Sequence, residues 1–210
     1  IIVAGHTTTV NDQTEFLLIR YNSSGALDST FGNGGIVTTT ILANHGHEFY
    51  SVRVQPDGKI VAVGVAYQTQ NEIKFPAILR FNSNGTRDNG FGANGVVSHQ
   101  GLAIDDASFE SVGVHASGKV IAGGYIQSSA DESDRDILFV QYNTSGGLDT
   151  SFGVNGMRTL FLTPNAKDTV NELKVMPGGQ VIAAGQSNQK MAVLKLLANG
   201  AFDNSFGSGL

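Results

Sequence analysis

Short runs of apolar residues recur along the chain, and a turn follows each of them. One run occupies Ile1–Gly5, Ile60–Gly64, Val120–Gly124 and Val181–Gly185. A second run occupies Phe16–Asn22, Ala77–Asn82, Leu138–Asn143 and Ala192–Leu197. Both runs carry apolar side chains at successive positions, a pattern that predicts strands covered on both faces. Because no stretch shows a comparable helical periodicity, we expect an all-β protein.

Two further strands complete the predicted repeat. One precedes the first apolar run, at Ser51–Gln55, Ser111–His115 and Glu172–Met176, and the other ends the repeat, at Ile36–Thr40, Val96–His99 and Met157–Phe161. The turns between the first two strands contain Gly58, Gly118 and Gly179, and glycine suits a tight hairpin because it accepts positive φ. The glycine that ends the first apolar run, at positions 5, 64, 124 and 185, predicts a bulge or a close backbone approach.

One phrase, Asp-x-x-Phe-Gly, occurs four times. Its Asp residues stand at positions 28, 88, 149 and 203, so that successive copies are 60, 61 and 54 residues apart. Its aromatic and glycine positions are Phe31, Gly32, Phe91, Gly92, Phe152, Gly153, Phe206 and Gly207. A fixed period of this size predicts an array of structural repeats. We divide 1–210 into one array with a partial repeat 1–40, repeats 41–100 and 101–161, and a partial repeat 162–210.

Small sheets that are apolar on both faces must stack on one another, which favours the blades of a β-propeller over the alternative, a β-solenoid. The four phenylalanines are predicted to fill the core between blades. The repeats amount to about three and a half four-stranded blades, which is an incomplete ring. Further repeats of a longer chain could complete the ring, which is the interpretation we favour. Alternatively, a homodimer would supply about seven blades.

Three motifs in fixed order resemble the delta-60 repeat family. They are the hairpin Gln55–Gly64 (QPDGKIVAVG), the strand Ala77–Asn82 (AILRFN) and the phrase that begins at Asp88. The fourth copy departs most, since Gly178 replaces the hairpin Asp. The resemblance implies a propeller of an exported or surface bacterial protein, and it implies no general activity.

Charge and composition narrow the choice of function. The net charge is −5 without a Lys/Arg cluster, which argues against a nucleic-acid surface. No apolar run approaches the length of a membrane span. The absence of cysteine excludes disulfides, thiolate metal sites and cysteine nucleophiles.

The candidate chemistry consists of carboxylates and histidines. Asp28, Asp88, Asp149 and Asp203 could bind Ca²⁺, but we expect each to cap its own loop. His45 and His47, followed by Glu48, form the most metal-like string, for which an exposed loop is the alternative interpretation. The acidic segment Asp131–Asp136 could also bind Ca²⁺, although a solvated loop is the expectation. Arg20, Arg80 and Lys195, with Gln141 in the third copy, share one strand position that we expect to be a solvated strand end.

We therefore predict a non-enzymatic binding or scaffold module, extracellular or at the cell surface and without a cofactor. Its protein or glycan ligand would contact the loops Thr7–Glu15, Ala66–Lys74 and Gln127–Asp136 at one end of the ring. A hydrolase or lyase with a central-channel site is one alternative, and a lectin-like propeller is another. An enzyme would carry unequal, converging polar residues on its innermost strands, and in the sequence those strands look alike and mostly apolar.

Overall fold

The computed structural model describes residues 1–68, 73–99, 106–127 and 134–207. Within these ranges the chain forms fourteen strands and no helix, so no described segment is an apolar helix long enough to cross a membrane. The strands form four antiparallel sheets in which each strand pairs with its neighbour in sequence. The predicted all-β class is confirmed.

The four sheets follow one another along the chain. The first and the last have three strands each, and the two between them have four strands each. The first sheet contains β1 (Ile2–Thr8), β2 (Thr14–Arg20) and β3 (Ile36–Thr39). The second contains β4 (His45–Val54), β5 (Ile60–Gln68), β6 (Lys74–Phe81) and β7 (Val96–Ser98). The third contains β8 (Ala107–Val114), β9 (Val120–Gln127), β10 (Arg135–Tyr142) and β11 (Met157–Leu160). The fourth contains β12 (Asp168–Val175), β13 (Val181–Ser187) and β14 (Lys190–Leu196).

Each sheet packs face to face on the next, and the apolar core lies between sheets. Alternate residues of β5 belong to different core clusters: Ile60 and Ala62 pack toward the first sheet, whereas Val61 and Val63 pack toward the third. Because the strand alternation sends neighbouring side chains to opposite faces, β5 is covered on both sides, as its continuous apolar run predicts.

The strands β4, β8 and β12 lie at one edge of their sheets, and we call them the inner strands. β4 packs on β8, and β8 packs on β12. The sheets are thus arranged like successive propeller blades, although they are not closed into a ring within the described residues.

Several element bounds differ from the predicted ones. β4 begins at His45 instead of Ser51. Strands also occupy the ends of two predicted loops: residues 7–8 and 14–15 of Thr7–Glu15, and residues 66–68 and 74 of Ala66–Lys74. Asp136 belongs to β10 and is buried, contrary to the expected solvated loop, whereas residues 131–133 lie outside the described ranges. Pairing with the neighbouring strand extends these segments, because polar side chains at strand ends do not prevent ladder formation.

Candidate functional site

A β-bulge interrupts each inner strand at the same place. The register shifts between Phe49 and Ser51 in β4, between Phe109 and Ser111 in β8, and between Val170 and Glu172 in β12. In each case a glycine of the next strand, Gly64, Gly124 or Gly185, lies opposite the irregularity. A Cβ at any of these glycines would overlap a carbonyl oxygen of the inner strand, so only glycine permits this approach.

The three extra residues in these bulges differ from one another. They are Tyr50, Glu110 and Asn171, and we call them the bulge residues. All three line one cleft of about 440 Å³, which we call the central cleft. Their unequal polar side chains contradict the expectation that the inner strands are alike and mostly apolar, because a bulge turns a polar residue out of the packed face.

The remaining walls of the central cleft come from the third and fourth sheets and the segment before β12. They carry Tyr125, Arg135, Lys167, Thr169 and Gln186. Each of these side chains, like the three bulge residues, contains a hydrogen-bonding group. The cleft lies toward the ends of β9 and β13 and the starts of β10 and β12, which is the end of the sheets where the predicted ligand loops lie.

A hydrogen-bonded group adjoins the cleft on the second sheet. The Tyr50 hydroxyl donates to Oε2 of Glu48 at 2.9 Å, and the Tyr67 hydroxyl donates to Oε1 of the same carboxylate at 3.2 Å. Partial burial is the main cause that raises the pKa of Tyr50 well above its ordinary value, and the hydrogen bond to Glu48 raises it further. The Tyr50 phenol is therefore neutral at physiological pH and acts as a hydrogen-bond donor.

Two cationic side chains lie beside the Tyr125 ring. The Arg135 guanidinium stacks on the Tyr125 ring, 4.1 Å from its centroid, and its Nη2 lies 3.9 Å from Oδ2 of Asp106. Lys74 Nζ lies 3.4 Å from the Tyr125 hydroxyl. Burial raises the pKa of Tyr125, although Lys74 acts in the opposite direction. Arg135 and Tyr125 thus line the cleft, and Lys74 lies between Tyr125 and the tyrosine–carboxylate group.

Below the bulges, polar contacts connect the inner strands. Ser51 Oγ accepts the Val112 N–H at 3.3 Å, and Ser111 Oγ accepts the Leu173 N–H at 3.0 Å. Arg53 of β4 forms an ion pair with Glu172 of β12. These bonds hold three sheets together beneath the central cleft.

The four repeated aspartates lie in four separate loops and do not converge. In each, Oδ1 accepts the N–H of the residue two positions later: Thr30, Gly90, Ser151 and Ser205. The other carboxylate oxygen contacts a cationic side chain in every copy. The predicted capping geometry is therefore observed for Asp28, Asp88, Asp149 and Asp203.

The repeated basic position is not a solvated strand end, contrary to expectation. Arg20, Arg80 and Lys195 pair with the Asp of their own repeat at 2.7–2.9 Å. In the third repeat, where Gln141 replaces the cation, Lys119 of the hairpin pairs with Asp149 at 2.7 Å. The strand's backbone register places each of these side chains against the loop that its own Asp closes.

These contacts determine the acidities of the aspartates. Burial alone would raise the pKa of Asp88, but hydrogen bonds from Lys59, the Gly90 N–H and Arg80 outweigh it and lower the pKa. The same balance lowers the pKa of Asp149, where Lys119 and Ser151 donate. The side-chain bond from Lys195 lowers the pKa of Asp203 to about 2. The carboxylates are thus fixed in the ionised state.

The signature phrase joins one sheet to the next. The N–H groups of Gly32, Gly92 and Gly153 donate to carbonyl groups of the following repeat at 2.8–2.9 Å. Phe31, Phe91 and Phe152 are completely buried. Phe206 is 39% exposed among the described residues, which end at residue 207, so its place in the core between blades stays a prediction. Gly207 shares the positive φ of the other three glycines, as do Gly58, Gly118 and Gly179 in their hairpins.

The two candidate metal-binding histidines lie in β4 and are not in an exposed loop. His47 is fully buried, and its Nε2 accepts the N–H groups of Ile41 and Leu42 at 3.2 and 3.3 Å. Burial lowers the pKa of His47, which preserves the acceptor. His45 Nδ1 bonds the Ala43 carbonyl at 2.7 Å. Among the described residues no three His, Asp or Glu side chains are grouped to hold a metal ion.

Sequence reasoning missed the bulge residues. The recurring glycines indicated a close approach, but they did not show which inner-strand residue would be the extra one. A comparison of the inner strands at the residue immediately before Ser51-Val52, Ser111-Val112 and Glu172-Leu173 could have exposed the signal, because the three copies differ there.

A family model matches four segments of the chain, 1–31, 55–91, 115–152 and 177–206, and it describes a beta-propeller domain of unknown function, DUF5122. The chain belongs to the DUF5122 beta-propeller family. No curated protein matches it. Three of the matched DUF5122 segments begin at or next to the hairpin turn, and all four end at the signature phenylalanine. The bulge residues lie between the matched segments. The DUF5122 pattern therefore covers the repeated strands and turns of the blades but not the inner-strand residues that line the cleft.

Proposed function

We propose that this chain is a non-enzymatic propeller module that binds a polar ligand in the central cleft. One observation carries the proposal: three successive inner strands bulge at one position and direct three different polar side chains into the same space. The repeated frame maintains the fold with similar residues, whereas the bulge residues vary between copies. Different polar side chains around one shared cavity are what a binding site on a repeat scaffold requires.

An array of glycans, peptides and metabolites tests this proposal. The wild-type chain is compared with the double variant Tyr50→Ala/Asn171→Ala and with Met191→Ala, a control at an 86% exposed side chain of β14. We expect at least one saturable ligand that the control retains and the cleft variant loses. Ligands that bind both variants equally, or no saturable ligand at all, would contradict a binding role for the cleft.

An enzyme is the second candidate, because unequal polar residues converge on the inner strands as expected of a catalytic propeller. The hydrogen-bonded Glu48 and Tyr50 supply a carboxylate and a neutral phenol beside the cleft. Incubation of each array ligand with the chain, followed by mass spectrometry, distinguishes the candidates. Turnover that disappears in Glu48→Gln would indicate a hydrolase or lyase, and unchanged ligand supports the binding module.

The resemblance to delta-60 repeats supports a further proposal, that the chain functions outside the cell or at its surface. Fractionation of the source cells followed by protease treatment of intact cells tests it. We expect the protein in the medium or in the protease-sensitive fraction, and recovery from the protected interior would contradict the proposal.

A further inference from the structure

We infer that the central cleft binds an acidic saccharide, with the carboxylate of a uronic-acid residue held by Arg135 and Lys167. This inference rests on the proposed binding function and adds the class of ligand. Its first basis is the position of the two cations. Arg135 and Lys167 form a parallel backbone bridge, and both side chains line the same cleft.

Arg135 has hydrogen-bonding capacity that its protein contacts do not use. The 3.9 Å between its Nη2 and Asp106 is longer than a hydrogen bond. Stacking on Tyr125 fixes the plane of the guanidinium. A planar, oriented guanidinium with spare donors is suited to bind a carboxylate through two bonds.

The rest of the lining suits hydroxyl groups. Asn171 and Gln186 both donate and accept hydrogen bonds, Glu110 accepts them, and the lining residues that the structure describes include no aliphatic one. Tyr50 remains 40% exposed and offers an aromatic surface beside these groups. A sugar ring has the matching combination of hydroxyls around a less polar face. The volume, about 440 Å³, lies within the range of small-ligand pockets.

The same features disfavour an acidic peptide. Peptides commonly bind by adding a strand to a sheet edge or by inserting apolar side chains into pockets. Here the bulges at Tyr50, Glu110 and Asn171 interrupt the free edge of each inner strand, and none of the described residues that line the cleft is aliphatic. The combination of two cations with amide and hydroxyl groups therefore favours a polyhydroxylated anion.

Calorimetric titration with defined trisaccharides tests this inference. The probes are the trimers of galacturonate, glucuronate and mannuronate, each compared with its carboxyl-reduced neutral counterpart. We expect one acidic trimer to bind about tenfold or more tightly than its neutral counterpart, as a charge-assisted pair of bonds allows. Arg135→Gln and Lys167→Gln should each remove most of this preference. Lys190→Gln, which removes an exposed cation that does not line the cleft, should preserve it.

The outcomes separate this inference from the proposed function. Equal binding of acidic and neutral trimers, lost in Asn171→Ala, would overturn the acidic ligand while retaining a saccharide-binding cleft. An acidic preference that survives both Arg135→Gln and Lys167→Gln would also overturn it. Binding of a poly-glutamate peptide in place of every trimer would reassign the ligand class. Failure of all trimers would refute the inference, and the array comparison of the Tyr50→Ala/Asn171→Ala variant would still decide whether the cleft binds any ligand.

Discussion

Three glycines of the second strands determine where the inner strands bulge. Gly64, Gly124 and Gly185 leave room for an inner-strand carbonyl where any side chain would overlap it. Gly5 occupies the same repeat position in β1, but a Cβ there would meet nothing within 4 Å. Three of these four glycines therefore cannot carry a side chain without a clash, whereas Gly5 can, and Gly5 serves as a control for the other three.

We expect Gly124→Ala to destabilise the protein by about 1–3 kcal/mol or more, the usual cost of overpacking. The added methyl would overlap the Ser108 carbonyl, and backbone on both sides of the contact must shift to relieve it. Urea denaturation measures the change. Gly5→Ala is the matched control and should be nearly neutral, so equal destabilisation of the two variants would show that the bulge does not depend on this glycine.

The repeated aspartates predict how stability depends on pH. Because the pKa of Asp149 is lower in the folded chain than in the unfolded one, its contribution is complete above the unfolded pKa and is lost as the pH falls toward the folded pKa. We expect the urea midpoint to fall between roughly pH 5 and pH 2. Asp149→Asn should be less stable at pH 7 and show a weaker dependence over that range.

Asp57→Asn serves as the comparison, because the ion pair of this exposed hairpin carboxylate with Lys59 Nζ is long, at 3.9 Å, and an Asn side chain can still accept the Lys59 N–H that Asp57 accepts at 3.1 Å. Its denaturation profile should follow that of the wild type. If Asp149→Asn and Asp57→Asn have the same profile, the ion pairs of the repeated aspartates do not govern acid stability.

For individual residues, the sequence alone predicted that the repeated aspartates cap their loops, but it did not predict which residues line the central cleft. An Asp followed two residues later by a small residue is a local pattern, so the capping of Asp28 could be predicted from nearby residues. The pairing of Asp149 with Lys119 could not, since it depends on where a hairpin meets a loop thirty residues away. Similarly, nothing local to Glu110 shows that it is the extra residue of a bulge.

Among the elements, the signature phrase is the main connection between neighbouring sheets. Phe91 is completely buried, and the Gly92 N–H donates to the Ser145 carbonyl of the next repeat at 2.8 Å. A Cβ at Gly146 would lie close to the Phe91 ring, so the turn of the next repeat directly covers it. The phrase therefore buries an aromatic ring and satisfies a backbone donor at the same interface.

We expect Phe91→Ala to lower the free energy of unfolding by about 3–5 kcal/mol, because it removes a large side chain from a closed core. Phe206→Ala should cost much less, since 39% of that residue is already exposed. Chemical denaturation of the two variants checks the difference. Similar losses at the two positions would contradict a role for the phrase as a sheet-to-sheet connection.

The sequence predicted the number and order of strands because turn residues and apolar runs recur in register. It misplaced the start of β4, where His45, His47 and Glu48 were expected in a loop. His47 instead uses its neutral ring to accept two backbone N–H groups, as the carboxylate of Asp168 does at the start of β12. His47 and Asp168 are chemically different but both accept two backbone N–H groups near the start of an inner strand. A search for a repeated residue type therefore cannot find this position.

For the whole molecule, the period of the repeat predicted stacked blades, and the family match supports the same architecture. The central cleft is a property of several sheets together. It requires Tyr50 of the second sheet, Glu110 of the third and Asn171 of the fourth to meet, although each is separated from the next by about sixty residues of other structure. A scaffold of similar blades with different bulge residues allows the site to vary without altering the frame.

Cross-linking of the variant Tyr50→Cys/Asn171→Cys tests the convergence of the inner strands most directly. Because the natural chain contains no cysteine, a short bis-maleimide reacts only with the two introduced thiols. The control Tyr50→Cys/Val154→Cys places its second thiol at an exposed residue of the third repeat, outside the cleft. We predict, by intact mass of the monomer, one bridging reagent per chain in the cleft pair and separate single adducts in the control. Separate adducts at residues 50 and 171 would contradict the shared cleft.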